Sequence, residues 1–114
     1  MKHKMYTTFD IMKMFKVHRE CLRSWMELGF ITPTIPATGQ GTKNLFDFEA
    51  LVKVAVFKDL VDFGLNRTRA AEFSDEHGDC GGVYTVWEGL GVTIEIDVGT
   101  VARNVKSMAI GFGK

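Results

Sequence analysis

Residues 6–33, YTTFDIMKMFKVHRECLRSWMELGFITP, read as two short helices separated by a tight break. Thr7 and Asp10 stand three apart, the spacing at which a hydroxyl accepts from a first-turn amide while the carboxylate reaches back to the cap. A first helix therefore begins near Thr8. Ile11, Met12 and Phe15 share one of its faces, Lys13 lies off it, and the apolar run breaks around Lys16 and Val17. A second helix follows from about His18 to Leu28. Within it Cys21, Leu22, Trp25 and Leu28 form an inward stripe at spacings of three and four, whereas Arg19 and Arg23 stand one turn apart on a basic face. Gly29 supplies the left-handed residue that closes the helix, and Pro33 prevents its resumption. Two helices with a tight turn make a helix-turn-helix, whose second helix is shaped to enter a DNA major groove.

Outward from this segment, residues 34–46 hold Pro36, Gly39 and Gly41 among small polar residues before Leu45 and Phe46, which suits a loop or short hairpin. Asp47 caps a third helix running to about Phe63, with Glu49 in its positive first turn and Gly64 as its stop. Phe48, Leu51, Val52, Ala55 and Leu60 would face the helix-turn-helix. Val54, Val56, Phe57, Val61 and Phe63 exceed what one face needs, so a second surface should cover them, either the C-terminal segment or another protomer. Asn66 caps a short fourth helix through Phe73. From Asp75 the composition changes, and SDEHGDCGG, which opens with Ser74, reads as a polar, glycine-rich linker. Val83–Trp87 and Val92–Val98 then read as two strands joined through Glu88 to Gly91, the second alternating Val92, Ile94, Ile96 and Val98 with Thr93, Glu95 and Asp97. Gly99 or Thr100 starts a last helix with Val101, Ala102, Val105 and Met108 on one face. The expected fold is mainly α with a small β component: a winged helix-turn-helix over 1–74, a linker over 75–82, and a β-hairpin and helix extension over 83–114 for packing or dimerisation.

Composition bounds these readings. A chain of 114 residues with 46% hydrophobic content suits one compact core. The formal net charge is zero, yet residues 1–74 hold 11 Lys and Arg against 8 Asp and Glu, and residues 75–114 hold 3 against 6. The basic half is the half with the helix-turn-helix. No apolar stretch approaches the roughly 18 to 20 residues of a membrane span, and the start lacks a signal-peptide apolar region. These features and only two cysteines, Cys21 and Cys80, lead to the expectation of a cytoplasmic protein.

Taken in order, Tyr6, Thr7, Lys13, Val17, Arg19, Leu22, Arg23, Gly29, Phe30, Ile31 and Pro33 resemble the N-terminal half of a MerR-family winged-helix DNA-binding domain. The run Gly39 to Phe48, followed by Leu51, is similar to that family's wing and the start of its third helix. Leu60 to Asn66 looks like the join between its third and fourth helices, so the likeness spans about residues 5 to 73. The resemblance implies a DNA-backbone contact for Arg23 and a basic wing contact for Lys43. The chain also departs from the pattern. Ser24 replaces a tyrosine, Lys16 replaces a common turn glycine, and Lys43 and Asn44 stand where a wing richer in arginine and tyrosine is usual. Gly78, Gly81 and Gly82 preclude the family's long dimer helix, so its DNA-twisting activation does not carry over.

The functional reading rests on polar and basic residues that reach outward. Arg19 is assigned to base readout, Arg23 mainly to phosphate, and His18 and Ser24 to auxiliary contacts; Lys43 and Asn44 belong to the wing, and Arg67 and Arg69 to the start of the fourth helix. Each arginine taken singly is more often merely solvated, and Trp25 is more often core. The ordered set favours DNA. No nucleophile and base have supporting spacing and no phosphate-loop pattern appears, so an enzyme, a cofactor and a catalytic site are not expected. His77 and Cys80, with Asp75, Glu76 and Asp79, fall short of the four ligands of structural zinc, and a polar loop is the better reading. The expected protein is a transcriptional regulator that binds duplex DNA, with a homodimer through the third helix or the C-terminal extension. Two other readings fit the same residues: a phage-type accessory factor for excision or DNA packaging, and a winged helix used as a protein-interaction module.

Overall fold

The computed structural model describes residues 5–39, 41–78 and 81–112. Among them the order is β1 (Tyr6–Thr7), α1 (Thr8–Phe15), α2 (Arg19–Glu27), β2 (Leu45–Phe46), α3 (Phe48–Phe63), α4 (Arg67–His77), β3 (Val83–Glu88), β4 (Thr93–Asp97) and α5 (Val98–Phe112). The described chain is mainly helical, with two small antiparallel sheets that pair β1 with β2 and β3 with β4. No helix among the described residues is long and apolar enough to cross a membrane.

Side-chain caps set the helix starts. The Asp10 amide donates to the Thr7 hydroxyl at 3.2 Å while the Thr7 amide donates to the Asp10 carboxylate at 2.9 Å, which fixes the first turn of α1. The Ala50 amide donates to Asp47 Oδ1 at 2.9 Å, and the Thr68 and Arg69 amides to Asn66 Oδ1 at 2.8 and 3.3 Å. Between α1 and α2, Lys16 takes the left-handed conformation at φ 55 and ψ 49. Gly29 (φ 80) and Gly64 (φ 120) end α2 and α3 in backbone conformations that glycine adopts without a Cβ clash.

The inward stripe of α2 is narrower than expected. Leu22 and Trp25 are buried, but Cys21 is exposed and Leu28 is 64% exposed. At 100° per residue both lie well round the helix from the centre of the stripe. The chain reversal at Gly29 also supplies substitutes. The Phe30 and Ile31 amides donate to the Trp25 carbonyl at 2.9 and 3.4 Å, which brings buried Ile31 and partly buried Phe30 onto the core.

α3 is the central post. Ala50, Leu51, Val52, Val54, Ala55, Val56, Phe57 and Leu60 are all buried, so the helix is covered on more than one side. Trp25 meets Phe57 edge-on at 5.0 Å, and Phe30 stacks on it at 5.7 Å. α4 and α5 also pack against α3. Of the two coverings left open by the sequence, the C-terminal segment is the one observed. α5 buries Val98, Val101, Val105 and Ala109, while Met108, expected on the same face, is 44% exposed. Phe48 and Phe63, at the two ends of α3, are exposed as well.

α4 runs past Phe73 to His77, taking in three residues that composition assigned to the linker. Aromatic contacts anchor this extra turn: His77 stacks on Tyr84 at 4.3 Å, and Phe73 lies 4.7 Å from His77. Asp79 and Cys80 lie outside the described residues. In the hairpin, Tyr84 opposes Ile96 and Trp87 opposes Ile94. The register shifts between Thr85 and Trp87, and the intervening Val86 is buried. α5 begins at Val98, one or two residues before the expected start at Gly99 or Thr100, and takes in the residue expected to end the second strand. Asp97 serves as its cap, with Oδ1 accepting from the Thr100 amide at 3.0 Å and Oδ2 from the Thr100 hydroxyl at 2.8 Å.

Candidate functional site

With Leu22 and Trp25 turned into the core and Met26 partly buried against it, α2 presents its remaining residues to solvent. Arg19, Glu20, Arg23, Ser24 and Glu27 are all exposed. A groove borders the helix on each side. On one flank Arg19 and Arg23 share with Asn44 a groove of about 420 Å³ floored by Phe9, Met12 and Met26. On the other, Ser24 and Arg67 share a groove of about 260 Å³ with Cys21 and Leu28. The fold thus brings Arg19, Arg23 and Asn44 together on one side, and Ser24 and Arg67 on the other. Lys43 is exposed in the loop beside Asn44, and Arg69 is exposed in the first turn of α4.

The loop that holds Lys43 is closed by an antiparallel bridge between Ile35 and Leu45, while Leu45 also opposes Thr7 of β1. Its interior is organised by polar side chains. The Thr38 and Gly39 amides donate to the Thr42 hydroxyl, each at 3.0 Å, and the Ala37 amide donates to Asn44 Oδ1 at 2.8 Å. Asn44 Nδ2 reaches Met26 Sδ at 3.8 Å. Asn44, assigned to the DNA contact by the sequence, is therefore used within the chain to tie the loop to α2. Gln40 lies outside the described residues.

α2 is balanced in charge, with Arg19 at its start. The helix carries Glu20 and Glu27 as well as its two arginines, and Arg23 Nε donates to Glu27 Oε2 at 3.3 Å with both side chains about two-thirds exposed. An exposed i,i+4 pair of this kind is worth only about 0.3–0.5 kcal/mol, so a stronger anion can displace the glutamate. No hydrogen bond or ion pair engages the Arg19 guanidinium among the described residues. His18 occupies the cap position of α2 but its side chain makes no capping hydrogen bond, so it does not satisfy the first-turn amides.

Two cations join this end that sequence reasoning did not assign to the site. Lys13 and Lys16 border, with His18 and Arg19, a shallow depression of about 450 Å³ where α1 meets α2. Lys13 Nζ sits 4.5 Å from the Phe9 ring centroid, and Phe9 is 58% exposed. The Arg23 and Glu27 spacing was readable as an i,i+4 pair. The position of Lys16 was not, because it depends on a left-handed turn at a residue that seldom adopts one.

No protein-family model matches this chain, and no curated protein sequence is significantly similar to it.

Proposed function

We propose that the protein binds duplex DNA as a MerR-like winged helix-turn-helix and acts as a transcriptional regulator. α2 is the recognition helix, the loop closed by Ile35 and Leu45 is the wing, and the start of α4 is a second flank. The observation that carries this reading is the placement of exposed α2 between Lys43 with Asn44 on one side and Arg67 on the other. A nine-residue helix is about 13 Å long and its side chains can enter a major groove about 12 Å wide. Arg19, with no internal partner, is available to a guanine edge. Arg23 exchanges Glu27 for a phosphate, and Lys43, Arg67 and Arg69 meet phosphates on the flanks.

Pairing of two copies belongs to the same proposal. It would use the hairpin, where Trp87, Leu90 and Val92 are exposed, since α5 already covers one side of α3. Sedimentation across a concentration range tests it; a strictly monomeric species removes it.

A titration of random and operator-like duplexes against salt tests the DNA reading. The expected slope is about −0.9 in log K against log salt for each phosphate contacted. Arg23→Ala should weaken every duplex, whereas Arg19→Ala should also relax sequence preference. No binding at low salt would sink the proposal. The second reading, a protein-interaction module, is favoured by exposed Phe9 on the floor of the Arg19 groove and by the balanced charge of α2. It predicts no salt-dependent DNA binding at all.

A further inference from the structure

Lys16 is the one non-glycine residue with positive φ among the described residues. In that conformation the Cβ of an L residue crowds the following carbonyl, and glycine is the residue that escapes the penalty. The side chain is exposed, so burial does not require a lysine either. Its position is more informative. Lys16 borders the same depression as Lys13, His18 and Arg19, and no carboxylate lines that surface. Three formal cations therefore share one concave face at the end of α1, adjoining the Arg19 side of α2.

We infer that Lys16, with Lys13 beside it, binds a backbone phosphate of duplex DNA, extending the contact surface from α2 onto the end of α1. This rests on the DNA-binding reading given above. A lysine ammonium is a point charge on a flexible stem, suited to fixing a phosphate and carrying no base information. Lys13, held near the Phe9 ring, adds positive potential on the same face. The contact accounts for a lysine at a position where the backbone favours glycine.

The test uses the full chain with Lys16→Gly, Lys16→Asn and Lys16→Arg, each titrated with one random-sequence duplex over a range of salt. Glycine and asparagine both tolerate the left-handed conformation, and their thermal melts should match or exceed that of the unsubstituted protein. Loss of one phosphate contact should make the salt slope shallower by about 0.9, which is roughly eightfold in affinity at 0.1 M salt. Lys16→Arg should keep both the slope and the affinity. Steep, unchanged binding by Lys16→Gly and Lys16→Asn would overturn this inference while leaving the DNA reading intact. A loss that Lys16→Arg fails to restore would overturn it too. Absence of salt-dependent binding by the unsubstituted protein would overturn both readings together.

Discussion

Glu27 restrains Arg23. Their 3.3 Å contact is solvent-exposed, so it adds little to stability, but it places a carboxylate on the surface proposed to face phosphate. Glu27→Gln should therefore tighten DNA binding severalfold at low salt while leaving the thermal midpoint nearly unchanged; weaker binding would mean that the pair positions Arg23 for its contact. Two aspartates set opposite pH trends. Hydrogen bonds from the Thr100 amide and hydroxyl hold the Asp97 carboxyl below its ordinary value of 3.8, with Arg103 also favouring the anion and desolvation opposing. Its stabilising contribution is complete above 3.8 and is lost as pH falls through the lower folded value. Asp59 is exposed over much of its surface, yet partial loss of hydration holds it above 3.8, Lys58 opposing and Asp62 adding to the shift. Its ionisation weighs against the fold as pH rises from 3.8 through the folded value. Asn caps a helix nearly as well as Asp, so Asp97→Asn isolates the charge. It should melt below the unsubstituted protein near neutrality, and the difference should close as the solution is acidified below 3.8. A gap that persists in acid would assign the effect to cap geometry instead.

At the scale of elements, the sequence was most legible where a side chain closes a helix end. Thr7 with Asp10, Asp47 and Asn66 mark starts because their oxygens have a nearby amide to satisfy, and Gly29 and Gly64 mark stops because few other residues accept their φ. Direction of facing was less legible. α3 is apolar nearly all round, so its periodicity does not say which side meets which neighbour. Cys21 and Leu28 were misplaced for a related reason: a stripe drawn from spacing alone ignores the turn at Gly29 that lets Phe30 and Ile31 fill the core. In the candidate site, the outward arginines could be read from spacing, but the internal use of Asn44 and the approach of Lys13 and Lys16 to Arg19 depend on tertiary geometry. The same distinction can be measured along α3. Phe57 is fully buried between Trp25 and Phe30, and Phe57→Ala should cost about 3–5 kcal/mol by urea unfolding. Phe63, which is 65% exposed, should tolerate alanine within about 0.5 kcal/mol. Comparable losses at the two sites would mean that another surface covers the end of α3.

At the scale of the whole molecule, the C-terminal hairpin and helix complete the core of the N-terminal half. A two-stranded hairpin and one helix bury too little to stand alone, and α3 is covered by α5 where it would otherwise be exposed. Val98, Val101, Val105 and Ala109 are all buried in that union. At about 1.5–3 kcal/mol for each fully buried valine, their burial is comparable with the roughly 5–15 kcal/mol that separates a folded domain from its unfolded chain. The two halves should therefore unfold together. The two tryptophans offer a probe for each: Trp25 packs on Phe57 in the N-terminal half, and Trp87 is half-exposed on β3. Trp87→Phe leaves Trp25 as the reporter and Trp25→Phe leaves Trp87. Because Trp25→Phe alters the core, each variant is also followed by far-ultraviolet circular dichroism. Within each variant the fluorescence and dichroism transitions should coincide, as a cooperative two-state unit requires. An early Trp87 transition that leaves most helical signal intact would instead make the hairpin and α5 a detachable cover, and would restore the exposed face of α3 as a surface for a second copy.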